Sequence, residues 1–121
     1  MEDYVKKAQQ GLLAEADPAR IGKRLSLLED IEGESQAALA KKAGIASNAW
    51  NNYVHGRKRI GIENAIRVVA TYDLTLDYIY LGDSTNLPPH LQVAISGLTQ
   101  QRAHRKSEDA KRAMAHKVSK K

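Results

Sequence analysis

Apolar residues recur at steps of three and four along most of this chain, the spacing of one face of an α-helix. Ile21, Leu25 and Leu28 form the first clear stripe, opened by Asp17 as N-cap with Pro18 at the first helical position and closed by Gly33. Ser35 opens a second helix with Leu39, Ala40 and Ala43 inward and Gly44 at its end. Ser47 is placed to cap a third, whose apolar side is Trp50, Tyr53 and Val54 and which Gly56 closes. Ile62, Ala65, Ile66 and Val69 mark a fourth, and Leu76, Ile79 and Tyr80 a short fifth. Five helices thus fit within residues 18–81.

The flanks are weaker in pattern. Val5, Ala8 and Leu12 hint at an amphipathic helix or arm over residues 4–13, interrupted by Gly11. "GDSTNLPP" at 82–89 reads as a turn-rich linker, after which Leu91, Ala94, Ile95 and Leu98 line one side of a sixth helix. That stripe has no assigned partner among the five helices, so it is the candidate dimerisation element, with residues 4–13 second. The last twenty-two residues offer only Ala103, Ala110, Met114 and Val118 as a thin apolar line, which predicts a tail disordered in isolation. The chain divides into an N-terminal arm (1–16), a helical domain (17–82), a linker with the dimerisation helix (83–99) and a flexible basic tail (100–121).

Composition narrows the class. At 121 residues the chain supports one core, and with 42% hydrophobic residues, no Phe and one Trp that core is built from Leu, Ile, Val and Ala, which suits an all-α fold. The absence of cysteine excludes disulfides and thiolate chemistry. No apolar run approaches the roughly 18 residues of a membrane span, and "MEDYVKK" lacks a signal-peptide block, so a cytoplasmic address with no membrane partner is expected. His55, His90, His104 and His116 lack neighbours at metal-ligand spacing, and Asp73 and Asp77 lack a base, nucleophile or Gly-rich loop nearby. No metal, no cofactor and no enzymatic activity are expected.

Charge changes the picture by its placement. The net charge is +5, but residues 100–121 carry +6 and residues 1–99 carry −1. Within the near-neutral part, Ser35 to Ile62 holds Lys41, Lys42, Arg57, Lys58 and Arg59 and no Asp or Glu. Such a window favours a polyanion. It also contains two helices, about 36–43 and 47–55, joined by a three-residue turn through Ile45, the geometry of a helix-turn-helix whose second member enters the DNA major groove. Counted from Gln36, small Ala40 stands fifth, where the helices cross, and Gly44 ninth, where the turn bends. Leu39, Ala43, Ile45, Trp50 and Tyr53 occupy the apolar positions.

These blocks, "IGKRL", "SQAALAKKAGI", "YVHGRKR" and "IENAIRVVATYDLTLDYIYLGD", resemble the Cro/phage-repressor (XRE-like) helix-turn-helix family from Ile21 to Gly82, about half the chain. The resemblance implies a five-helix, lambda-repressor-like DNA-binding domain, here with an added C-terminal helix and basic tail. It implies a transcription regulator of bacterial or phage type. It places Ser47, Asn48, Asn51 and Asn52 on the outward face of the reading helix, where the family touches base edges. Gln36 and the basic loop after the reading helix would clamp phosphates.

Side-chain chemistry agrees with those roles. Asn is a poor helix former, but its amide donates and accepts at once to adenine N6 and N7, and one such pair discriminates by roughly 1–3 kcal/mol against a few tenths lost to propensity. Asn48, beside Ser47, suits a capping role equally well. Trp50 sits at the buried position and is expected to pack rather than stack on a base. Arg57, Lys58 and Arg59, with His55 at the helix end, are the expected phosphate contacts. Glu34 stands next to the positive end of the helix at 36–43 and competes with a phosphate there, so Glu34→Gln is expected to strengthen DNA binding.

A single domain of this size contacts little DNA, so a homodimer on two half-sites roughly 34 Å apart is expected. The main expectation is a repressor. The alternative is an antitoxin or antiactivator of the same fold that binds a protein partner through its terminal extensions.

Overall fold

The computed structural model describes residues 2–119, with side chains described through Ala113. The chain is all-α, with seven helices among the described residues: α1 (Glu2–Glu15), α2 (Pro18–Glu32), α3 (Gln36–Ala43), α4 (Ser47–Val54), α5 (Ile62–Tyr72), α6 (Leu76–Leu81) and α7 (Pro89–Ser119). None of them is long and apolar enough to cross a membrane.

The helix boundaries follow local chemistry. Asp17 caps α2 by accepting the Ala19 N–H at 3.1 Å, Ser35 caps α3 through Ala38 and Thr75 caps α6 through Tyr78. The start of α4 differs from expectation: Ala46 is its N-cap and Ser47 is already the first helical residue, so no side chain caps this helix. Asn48 Oδ1 instead accepts the Ala49 N–H at 3.0 Å, satisfying one of the donors that a helix start leaves open.

The core gathers Ile21, Leu25 and Leu28 of α2, Leu39 of α3, Trp50 of α4 and Val68 of α5, each essentially without solvent exposure. At its centre α2 packs most extensively on α4 and also meets α3, α6 and α7. Two glycines make the α2–α4 approach possible. A Cβ at Gly22 would lie 2.5 Å from the Tyr53 carbonyl oxygen and 2.7 Å from that of Val54, and one at Gly56 would lie 2.9 Å from Ala19 Cα. Gly56 also has φ of +72°, a conformation that a side chain strains.

Three packing expectations are revised. In α5 the buried residues are Ala65, Val68 and Tyr72, while Ile62 and Ile66 are about half exposed and Val69 is half-buried. The two stripes share members, and Tyr72 selects between them: its hydroxyl donates to the Leu39 carbonyl at 2.6 Å and locks α5 onto α3. In α6, Tyr78 and Ile79 are buried, with Leu76 and Tyr80 half-buried.

The largest revision concerns α7. Leu91 and Ile95 belong to the core of the protomer, and Ala94 and Leu98 are half-buried, because α7 lies against α2. The stripe taken as a dimer surface is covered by this chain itself. Nor is the tail irregular: α7 continues unbroken to Ser119, about 46 Å in all. Its first turns are anchored on α2, so the tail extends an existing helix and avoids the cost of nucleating one. Good helix formers and the His104–Glu108 contact at 3.9 Å, one turn apart, favour that extension. The side chains of Met114, His116 and Val118 lie outside the described residues.

Candidate nucleic-acid interface

The helix-turn-helix is assembled from three local constraints. Ala40 is buried where α3 meets α4, Ile45 is buried in the turn, and Trp50 and Tyr53 form the inner face of α4. Trp50 is fully enclosed with its indole N–H unpartnered, a packing residue as expected. Tyr53 accepts a hydrogen bond from Asn64 Nδ2 at 2.8 Å, which ties α4 to α5. With its inner face held, the outer face of this eight-residue helix is left to polar side chains.

Ser47 and Asn48 are exposed, whereas Asn51 and Asn52 are half-buried under a network of hydrogen bonds. Asn51 Nδ2 donates to Gln36 Oε1 at 3.2 Å, joining the start of α3 to the middle of α4. Arg57 Nη1 donates to Asn51 Oδ1 at 2.9 Å and more loosely to Asn52 Oδ1 at 3.4 Å. A guanidinium has no acceptor, so Arg57 dictates which way both amides point: oxygens toward the loop. Asn51 keeps one N–H and one lone pair, and Asn52 keeps both N–H groups, free of protein partners among the described residues. That remaining capacity is what a bidentate contact to adenine needs.

The expected phosphate contacts are less uniform than the sequence suggests. His55 is the exposed C-cap of α4, and Lys58 is an exposed loop residue. Arg57 turns back across α4, so its charge lies over the amides. Arg59 Nε donates to the Ala16 carbonyl at 2.8 Å, which fastens the basic loop to the α1–α2 connection while the exposed guanidinium retains other N–H groups. Gln36 is bonded to Asn51 and so supports the polar face of α4 directly.

Glu34 is already paired within the chain. Its carboxylate pairs with Lys42 Nζ at 2.9 Å, and the Lys42 ammonium is held above the usual lysine range by that bond and charge. The same carboxylate helps raise the Tyr72 hydroxyl, after burial as the main cause. One of its oxygens accepts from Lys42, and the other is buried without a partner.

Sequence reasoning missed Arg57 as a partner of the asparagines and Gly22 as the residue that seats α4. A cation three residues past the helix end is a detectable cue for the first. The second depends on the contact of Gly22 with Tyr53 and Val54, residues far from it in sequence. No cluster of three or more metal-ligating side chains occurs among the described residues. No family model matches this chain, and no curated protein or solved structure matches it.

Proposed function

We propose that this chain is a sequence-specific regulator of transcription that binds double-stranded DNA, a repressor acting as a homodimer through a lambda-repressor-like helix-turn-helix domain of the Cro/phage-repressor type. One observation carries the reading: α4 turns a carboxylate-free face of four hydrogen-bonding side chains outward, with Arg57 and Gln36 fixing the amides in place. An α-helix with its side chains is about 10–12 Å across, which the major groove, about 12 Å wide, admits. Lys41, Lys58 and the free nitrogens of Arg59 supply positive charge around it. Because the start of α7 is buried in the protomer, α1 becomes the candidate dimer element. Tyr4, Val5, Leu12 and Leu13 are exposed on it, and it buries no residue.

Selection of duplexes from a random pool tests this reading. Wild type is expected to enrich one half-site, and an Asn51→Ala, Asn52→Ala variant to lose adenine preference by roughly 1–3 kcal/mol per contact while melting normally. Unchanged selection by the variant, or no duplex binding at low ionic strength, overturns it. The exposed face of α1 also favours the second reading, an antitoxin or antiactivator that holds a protein partner there. Loss of dimer in light scattering on Val5→Asp with Leu12→Asp supports the first role for α1; an unchanged dimer removes α1 as the dimer element.

A further inference from the structure

We propose that the cleft between α2, α6 and α7 is a binding site for a small amphiphilic acid, an anionic head group on a short apolar body. The cleft has a volume of about 360 Å³, within the range of small-molecule sites. Leu27 and Ile95 line it, and Lys23, Arg24 and Arg102 stand around it. It lies apart from the side chains of the reading face and does not depend on the DNA-binding proposal.

Tyr78 gives the cleft its polar focus. Every other buried or half-buried tyrosine has a partner for its hydroxyl: Tyr53 accepts from Asn64, Tyr72 donates to Leu39 and Tyr80 donates to Ile60. The Tyr78 side chain is 4% exposed and lines the cleft, yet its hydroxyl has no hydrogen bond among the described residues. Nor is that oxygen among the fully enclosed unpartnered atoms, which are Glu34 Oε2 and Trp50 Nε1 among the described residues. Burial pushes the phenol up to about 12 despite Arg24 and Arg102, which pull it down. It is therefore a neutral O–H with a donor to give, set beside two guanidinium groups.

The charges around it leave an excess that an acid would neutralise. Glu15 is the one carboxylate lining the cleft, and it is already bonded to Arg20 and Arg24. Lys23 has no ion pair among the described residues, and Arg102 reaches Asp30 only at 3.5 Å while donating to Ser26 Oγ at 2.9 Å. A carboxylate or phosphate monoester oxygen satisfies the phenol, with Lys23 and Arg102 as counter-charges. The apolar lining requires a body attached to that head, because a bare ion gains nothing from Leu27 and Ile95. A metal cation is disfavoured by the four cationic side chains that line the cleft, Arg20, Lys23, Arg24 and Arg102.

Titration of octanoate into the full ¹⁵N-labelled chain, followed by amide shifts, tests the site. Saturable shifts at Lys23, Leu27, Tyr78, Ile95 and Arg102 are expected from octanoate, and no saturable shifts there from octanol or inorganic phosphate. Tyr78→Phe is expected to weaken octanoate by about tenfold, the value of one hydrogen bond to an anion. Arg102→Gln, at a partly exposed position, is expected to weaken it as well, with folding checked by the unchanged dispersion of the remaining amide signals. The proposal is overturned if octanoate gives no saturable shifts or shifts other residues, if octanol or phosphate alone matches it, or if Arg102→Gln binds like wild type. DNA binding does not enter these readouts, so failure here leaves the proposed function standing.

Discussion

Helices α4 and α1 form an instructive pair. The shorter, α4, has eight residues, three asparagines and no side-chain cap, and alone it would not persist in water. It is held by Trp50 and Tyr53 on its inner face and by α2 pressed against its end. The longer, α1, has fourteen residues, exposes Tyr4, Val5, Leu12 and Leu13, and buries nothing. Stability in the first comes from tertiary contact, which frees the outer face for residues chosen for hydrogen bonding over helix propensity. The second is tied to the domain near its end, by the Glu15 bonds to Arg20 and Arg24 and by a small contact with α6. α7 combines both regimes, anchored on α2 through Leu91 and Ile95 and then extending beyond it.

Removing the seat of α4 breaks this contrast most severely. Gly22→Val drives a side chain into the Tyr53 and Val54 carbonyls and is expected to cost about 3 kcal/mol or more, seen as a large fall in melting temperature with DNA binding lost. Leu91→Ala tests whether the start of α7 is core: a loss of about 2–3 kcal/mol in denaturant unfolding is expected, whereas a surface leucine would cost almost nothing. Truncation after Ala103 keeps the Arg102 anchor and should leave the unfolding midpoint unchanged. If the tail touches phosphates, the same truncation flattens the salt dependence of DNA binding by about 0.9 per phosphate released, without changing the preferred sequence. Glu34→Gln has the smallest effect, a gain in DNA affinity of about twofold as Lys42 is unmasked, measured by titration at low salt.

Much of the domain was readable because its signals are local. Asp17 and Ser35 announce helix starts by accepting N–H groups two or three positions away, and Pro18 does so by a fixed φ that suits the first turn, each as expected. Gly44 and Gly82 mark helix ends by a left-handed backbone. The polar face of α4 was legible too, since Trp50 and Tyr53 define an inner side and Asn48, Asn51 and Asn52 fall opposite. Ser47 was misread as a cap because Ala46 and Ser47 are both compatible with a helix start, and only backbone geometry separates them. In α5, periodicity admitted two overlapping stripes, and a hydrogen bond to another helix selected one.

By itself, then, the order of residues determined that this chain is helical, where most of its helices begin and end, and which side of α4 is polar. Those properties arise from interactions within one or two helical turns. Only the tertiary structure decided that the α7 stripe lies inside the protomer, that Arg57 orients Asn51 and Asn52, and that Tyr78 opens unpartnered into a cationic cleft. Each of these depends on where segments distant in sequence come to rest, and an apolar stripe reads the same whether its partner is the same chain or another.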